Sequence, residues 1–244
     1  MPRFFINKDA SAPAPGDLFE ITGDDARHIS SSLRMKEGEK LILCDGAGTD
    51  CLCAVESVGP TVAVRVISLS ESAGEPPYRA AVYQALVKGD KFDSVVQKSV
   101  ECGAASVTPF LSSRCVSRPD ERSAGKKAER WRKIAAEAAM QCGRGAIPGV
   151  GDAIPFSEAI KAAVEADIPL FCYEGGGEPL RDVLRGKTPG TVSVVIGPEG
   201  GFSPEEAAEA TAAGMKTVSL GARILRTETV AQTVLSCLSY EFET

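Results

Sequence analysis

The chain has a single histidine, His28, and its eight cysteines form no Cys-x-x-Cys pair. Cys44, Cys51, Cys53, Cys102, Cys115, Cys142, Cys172 and Cys237 are scattered. A zinc site needs thiolate and imidazole ligands at close spacing, so no metal is expected. At 244 residues the chain buries a sizeable core without disulfide staples. Its thiols therefore read as reduced and its compartment as cytoplasmic. No run reaches the roughly 18 apolar residues of a membrane span. Met1–Gly16 lacks the apolar stretch of a signal peptide. An excess of positive charge is also missing: the net charge is −6, which argues against nucleic-acid binding by the surface as a whole. Internal repeats and low-complexity tracts are absent.

Two segments near the C-terminus carry the most information. Val192–Phe202 reads VSVVIGPEGGF and Leu220–Thr229 reads LGARILRTET. Each is a short apolar run that breaks into a glycine loop before a helix start. Val194, Val195 and Ile196 fit a strand buried on both faces. Ser203-Pro204-Glu205-Glu206 predicts a helix with Ser203 as N-cap, Pro204 at the first helical position and Glu206 closing a capping box. Gly214 ends that helix, and Lys216–Leu220 is strand-like. Strand, helix and strand make a βαβ unit with parallel strands. Both loops then open at the carboxyl edge of the sheet, where α/β folds bind ligands. A third strand, Ile168–Tyr173, runs into Glu174-Gly175-Gly176-Gly177 and offers a third wall.

The loops are not phosphate cradles of the usual kinds. No Gly-Lys-Ser/Thr triplet follows Gly201, and G-x-G-x-x-G is absent. Glu199 inside the first loop would repel a polyphosphate, so a neutral or cationic ligand is expected. Taken singly, each loop also reads as a plain tight turn. Three at neighbouring strand ends suggest one pocket.

Phe4 to about Ser70 reads as β structure with one short helix near Asp24–Leu33. Strands are predicted at Lys40–Cys44, Asp50–Val58 and Thr61–Leu69, with turns at Asp45-Gly46 and Gly59-Pro60. Short strands with tight turns suggest a small barrel. Ser70–Tyr78 reads as a linker. Strands and helices alternate beyond it, beginning at Ala80–Val87. Helical faces recur at Phe92, Val95, Val96 and Val100, at Trp131, Ile134, Ala135 and Ala138, and at Val230, Val234, Leu238 and Phe242. From Ser112 to Lys133 eight cations face three anions (Asp120, Glu121 and Glu129), a local excess of five positive charges. Such a run is either a solvated helix face or a phosphate-contacting patch.

IGPEGGFSPEE followed by LGARILRTET resembles the signature of the SPOUT-class RNA methyltransferases. More narrowly, the chain resembles the bacterial family that methylates N3 of uridine 1498 in 16S ribosomal RNA. The likeness extends to Arg3-Phe4-Phe5, His28, Arg34-Met35-Lys36, Lys98–Gly103, Pro109, Arg114-Cys115, Glu129-Arg130-Trp131, Gln141–Arg144 and Pro148. Val230 departs from the pattern, which has alanine there. The resemblance implies a PUA-like RNA-binding β-barrel over residues 1–70. It implies a parallel-sheet α/β domain over 78–244, tied in a trefoil knot, and a homodimer. The implied cofactor is S-adenosylmethionine, and the implied partner is 16S ribosomal RNA in the small subunit.

This cofactor carries a sulfonium cation and no phosphate, which suits Glu199. Phe171, Cys172, Tyr173, Ile196, Gly197, Pro198, Glu199, Gly200, Gly201, Leu220, Gly221, Ile224 and Leu225 are the expected cofactor contacts. Methylating uracil N3 requires removal of an imide proton and stabilisation of the developing charge. Arg226 and Glu228 match the family's Arg-Thr-Glu-Thr and are the expected catalytic residues. Glu228 reads equally well as a helix N-terminal carboxylate. Arg3, Arg34, Arg114, Arg118 and Arg144 are the expected RNA contacts. A non-catalytic RNA-binding assembly protein is the alternative from a different class.

Overall fold

The computed structural model describes residues 1–6, 13–118, 120–188 and 190–243, without the side chain of residue 121. Residues 7–12 of the expected first domain, and the Glu121 charge counted above, lie outside the described residues. The chain divides into two compact units: Met1–Glu75 with Ala139–Ile147, and Pro76–Ala138 with Pro148–Thr244.

In the first unit, β1 (Arg3–Phe5), β2 (Leu18–Ile21), β3 (Lys40–Cys44), β4 (Thr49–Val58) and β5 (Val62–Glu71) form one sheet, ordered β1-β3-β4-β5-β2. Val62, Val64 and Val66 of β5 are buried while Arg65 and Ile67 face out, as the two-residue period requires. Register shifts at Leu52/Cys53 and Val55/Ser57 let β4 bend, which curls the sheet around Phe4, Ile29, Leu41 and Val55. The expected helix is α1 (Gly23–Arg27), continued by a π-helical turn at His28–Ser32.

Nothing in the sequence announces that Ala139–Ile147 packs with this unit. Glu75 is the anchor: it accepts backbone N–H bonds from Gly145 at 3.1 Å and Ala146 at 3.0 Å, and pairs with Arg144 at 2.7 Å. Met140 packs against the same apolar core.

The second unit contains β6 (Arg79–Ala85), α2 (Lys91–Glu101), β7 (Ala104–Leu111), most of α3 (Glu121–Cys142), β8 (Gly149–Val150), β9 (Ile154–Pro155), α4 (Phe156–Ala163), β10 (Ile168–Cys172), β11 (Glu178–Pro179), α5 (Leu180–Leu184), β12 (Thr191–Ile196), α6 (Pro204–Ala213), β13 (Lys216–Ser219) and α7 (Thr227–Phe242). Its sheet is parallel, with main order β11-β13-β10-β12-β6-β7-β8, and β9 pairs with β7. Five consecutive buried residues in β12 mark it as a strand covered on both faces. β12 and β13 are parallel, as expected, but they are not neighbours. β10 lies between them and pairs with both. All three loop-bearing strands therefore end side by side.

α6 begins with the expected capping box. Ser203 Oγ accepts from the Glu206 N–H at 3.2 Å, and Glu206 Oε2 accepts from the Ser203 N–H at 2.9 Å. Gly214 ends the helix at φ +102°. No helix among the described residues is long and apolar enough to cross a membrane.

Candidate functional site

The three glycine loops wall one cleft of about 610 Å³ in the second unit. Its first wall is the loop after β12. Phe202 anchors this loop, packing 4.3 Å from Phe171 and stacking on Phe110 at 6.4 Å between ring centroids. A side chain at Gly197 would press on the Phe202 ring at 3.1 Å, so glycine lets the strand end lie against that anchor. Gly201 takes φ +65° and donates its N–H to the Pro198 carbonyl at 2.9 Å, closing the turn.

The second wall is Val218–Leu225, leading to α7. Leu220 and Leu225 are half-buried, and Ile224 is 87% exposed although apolar. Cys172, Tyr173, Glu174 and Gly176 from the loop after β10 give the third. Burial pushes the Cys172 thiol up to about 12, so the side chain stays a neutral thiol.

A buried network locks the first two walls together. Thr227 Oγ1 donates to the Gly197 carbonyl at 2.6 Å and accepts from Gln84 Nε2 at 2.9 Å. Nearby, Lys91 Nζ lies 3.6 Å from Glu199 Oε1 and 3.8 Å from Glu228 Oε1. Burial works against the Glu199 carboxylate, but the Lys88 N–H and the Lys91 charge hold it below the ordinary carboxylate range. Glu228 Oε2 is buried with no hydrogen-bond partner among the described residues.

Cys172, Tyr173, Ile196, Gly197, Pro198, Glu199, Gly200, Gly201, Leu220, Gly221, Ile224, Leu225, Arg226 and Glu228 all line this cleft. Phe171 does not: its side chain is fully buried against Phe202. Arg226 is exposed at the N-cap of α7. Sequence reasoning missed Lys91, Gln84 and Thr227. Lys91 and Gln84 lie more than a hundred residues from the loops they serve, whereas Thr227 stood inside the Arg-Thr-Glu-Thr motif without a role assigned to it.

The five arginines expected on RNA fall into two groups. Arg114 is exposed and donates to the Gly200 carbonyl at 3.0 Å, beside the cleft loop. The Ser112–Arg114 turn is held by Glu206, whose Oε1 accepts from the Ser113 N–H at 2.8 Å and whose Oε2 accepts from Ser112 Oγ at 3.2 Å. Arg118 is also exposed and donates to the Ser112 and Ser113 carbonyls. In the first unit, Arg34 is exposed in a left-handed conformation, φ +53°. The other two serve packing within that unit. Arg3 makes a bidentate pair with Asp50 at 2.5 and 2.8 Å, and buried Arg144 pairs with Glu75. Among the described residues, no group of three His, Cys, Asp or Glu side chains is placed to hold a metal ion.

A parallel sheet with looped strand ends walling one cleft, on a chain with a separate curled β unit, defines a class. The RNA methyltransferase domain family matches residues 74–239, and the RNA methyltransferase PUA domain family matches residues 21–66. The ribosomal RNA small subunit methyltransferase E of Bacillus subtilis is 34% identical over 250 residues, covering 100% of this chain and 98% of that protein. Two solved structures are similar over nearly the whole chain. One, from Legionella pneumophila, was solved with bound S-adenosylmethionine (34% identity, TM-score 0.85, covering 98% of this chain and 96% of that one). The other is a ribosomal RNA small subunit methyltransferase E from Neisseria gonorrhoeae bound to S-adenosylmethionine (28% identity, TM-score 0.85, covering 98% and 97%). The chain belongs to the ribosomal RNA small subunit methyltransferase E family.

Proposed function

We propose that this chain methylates N3 of uridine 1498 in the 16S ribosomal RNA of the small subunit, with S-adenosylmethionine as methyl donor. Membership of the family supports the reaction class, and the cleft supports the cofactor. The carrying observation is that the three glycine loops converge on one cleft that also holds Arg226 and Glu228. Its volume of about 610 Å³ is in the range of small-molecule sites. Ile196, Val218, Leu220 and Leu225 supply apolar walls for an adenine, and the glycine loops leave backbone groups close to the ligand. Carboxylates of Glu174, Glu199 and Glu228 suit a cation.

The cofactor supplies an electrophilic methyl group on a sulfonium sulfur. The chain's own residues do the rest. Arg226, exposed at the helix start, stabilises negative charge developing on the uracil oxygens. Glu228 is the candidate acceptor of the N3 proton, since its buried Oε2 lacks a donor. Arg114 and Arg118 on the second unit, and Arg34 on the first, are the candidate phosphate contacts. The uracil imide is hidden in stacked RNA, so the base is extruded to react.

The same reading includes a trefoil knot in the second unit, a homodimer, a cytoplasmic location and no metal. The dimer rests on the resemblance alone, because Ala231, Val234 and Leu238 of α7 are buried in the subunit's own core. Light scattering at micromolar concentration checks it: a monomer refutes the dimer. Cofactor calorimetry with and without a chelator checks the metal-free reading.

The decisive experiment is incubation with labelled cofactor and small ribosomal subunits from a strain lacking the modification, followed by mapping of the methylated base. Label at another base refutes the assignment. Absence of both label and cofactor binding favours the non-catalytic assembly protein.

A further inference from the structure

Lys91 stands in the first turn of α2, outside both glycine loops. Its ammonium nevertheless lies between a carboxylate of the first loop, Glu199, and one in the first turn of α7, Glu228. The two carboxylates are held differently. Glu199 has an independent hold, the Lys88 N–H at 3.1 Å from its Oε1. Glu228 is held more loosely: Lys91 Nζ lies 3.8 Å from its Oε1, an ion-pair distance beyond hydrogen-bond reach, and its Oε2 is buried without a partner among the described residues. An unsatisfied buried acceptor is unfavourable, and such groups persist where a ligand's donor completes them.

We propose that Lys91 is a positioning residue for methyl transfer: by bridging Glu199 and Glu228 it sets the Glu228 carboxylate against the cofactor loop and leaves Oε2 to receive the substrate's N–H. This rests on the reading of the cleft given under Proposed function. In the step it serves, N3 gains the methyl group and its proton passes to Glu228 Oε2. The electron pair of the broken S–C bond stays on sulfur. A sulfonium and a carboxylate thus become a neutral thioether and a neutral acid, and the charges balance.

Lys91 has a second effect. Its positive charge offsets part of the carboxylate charge in a cleft that receives a cation. Removing it makes the cleft more negative by one charge, which favours cationic S-adenosylmethionine over the neutral product S-adenosylhomocysteine.

Lys91→Met and Lys91→Arg in the full chain test this, by calorimetry with both ligands and by turnover at varied cofactor up to saturation with saturating small subunits. Lys91→Met is expected to lower kcat by about tenfold or more while KM for the cofactor stays within about threefold. Its relative affinity should shift toward S-adenosylmethionine by roughly two- to tenfold. Lys91→Arg should recover most of kcat, because a guanidinium can span both carboxylates. A kcat within about twofold of wild type in Lys91→Met overturns the proposal. So does an unchanged affinity ratio, or an equal loss of both affinities, which would make Lys91 a support of the fold. Failure of the uridine assignment looks different. The wild type would then leave N3 of uridine 1498 unmethylated while the affinity ratio of Lys91→Met still shifts, and the charge role of Lys91 would stand.

Discussion

Arg144→Met separates packing from RNA contact most sharply. The guanidinium is buried in the first unit, at 5% side-chain exposure, against Glu75 at 25%. Nη2 donates to Glu75 Oε2 at 2.7 Å and Nε to Oε1 at 3.3 Å. Breaking a fully buried ion pair from one side destabilises by about 3–5 kcal/mol, because the remaining charge is stranded. Partial exposure of Glu75 and its surviving bonds from Gly145 and Ala146 reduce that to roughly 2–4 kcal/mol. Urea denaturation of the full chain should show this loss in the transition that reports the first unit. The double variant Glu75→Gln with Arg144→Met should be less destabilised than Arg144→Met alone, since no unpaired carboxylate remains. Under conditions where the variant stays folded, the salt dependence of RNA affinity should match wild type. Unchanged unfolding with a salt slope flattened by about one unit would refute the argument, because Arg144 would then be a phosphate contact.

Arg114→Ala should show the opposite pattern, with near-normal stability, near-normal cofactor affinity and a salt slope flatter by roughly one unit in RNA titrations. Arg226→Ala should slow methyl transfer even at saturating RNA, since charge stabilisation is felt most in the transition state; rescue by excess RNA in single-turnover assays would move Arg226 to RNA binding. Gly221 takes φ +102° whereas Gly200 does not take a positive φ, so Gly221→Ala should destabilise by about 1–2 kcal/mol more than Gly200→Ala in thermal melts. Burial opposes the Glu206 charge, but the Ser203 and Ser113 N–H groups and the nearby hydroxyls outweigh it and depress its folded pKa. Its stabilisation is therefore complete above the unfolded value of about 4.3 and is lost as pH falls through the lower folded value. Glu206→Gln should weaken the wild-type loss of stability over that acidic window; an unaltered pH profile would count against the linkage.

Local signals in the sequence determined much of this protein. The apolar run Val192–Ile196, the capping box at Ser203 and Glu206, and the αL glycine Gly214 specify a strand, a helix start and a helix stop through residues a few positions apart. Their physics is short-range, so one chain segment suffices to read it. The glycine loops were legible for the same reason, whereas Arg226 and Glu228 were singled out by the resemblance of LGARILRTET to the family's Arg-Thr-Glu-Thr. Strand neighbours were not. β12 and β13 are joined by one helix, yet β10 lies between them, because sheet order depends on pairings that no local pattern encodes. The bridge from Lys91 to Glu199 and Glu228, and the Gln84–Thr227–Gly197 network, span more than a hundred residues of sequence. Arg3 and Arg144 read as free cations until the fold brings Asp50 and Glu75 against them. A charge becomes an RNA contact or a buried partner according to what lies beside it in space, and tertiary structure alone decides that.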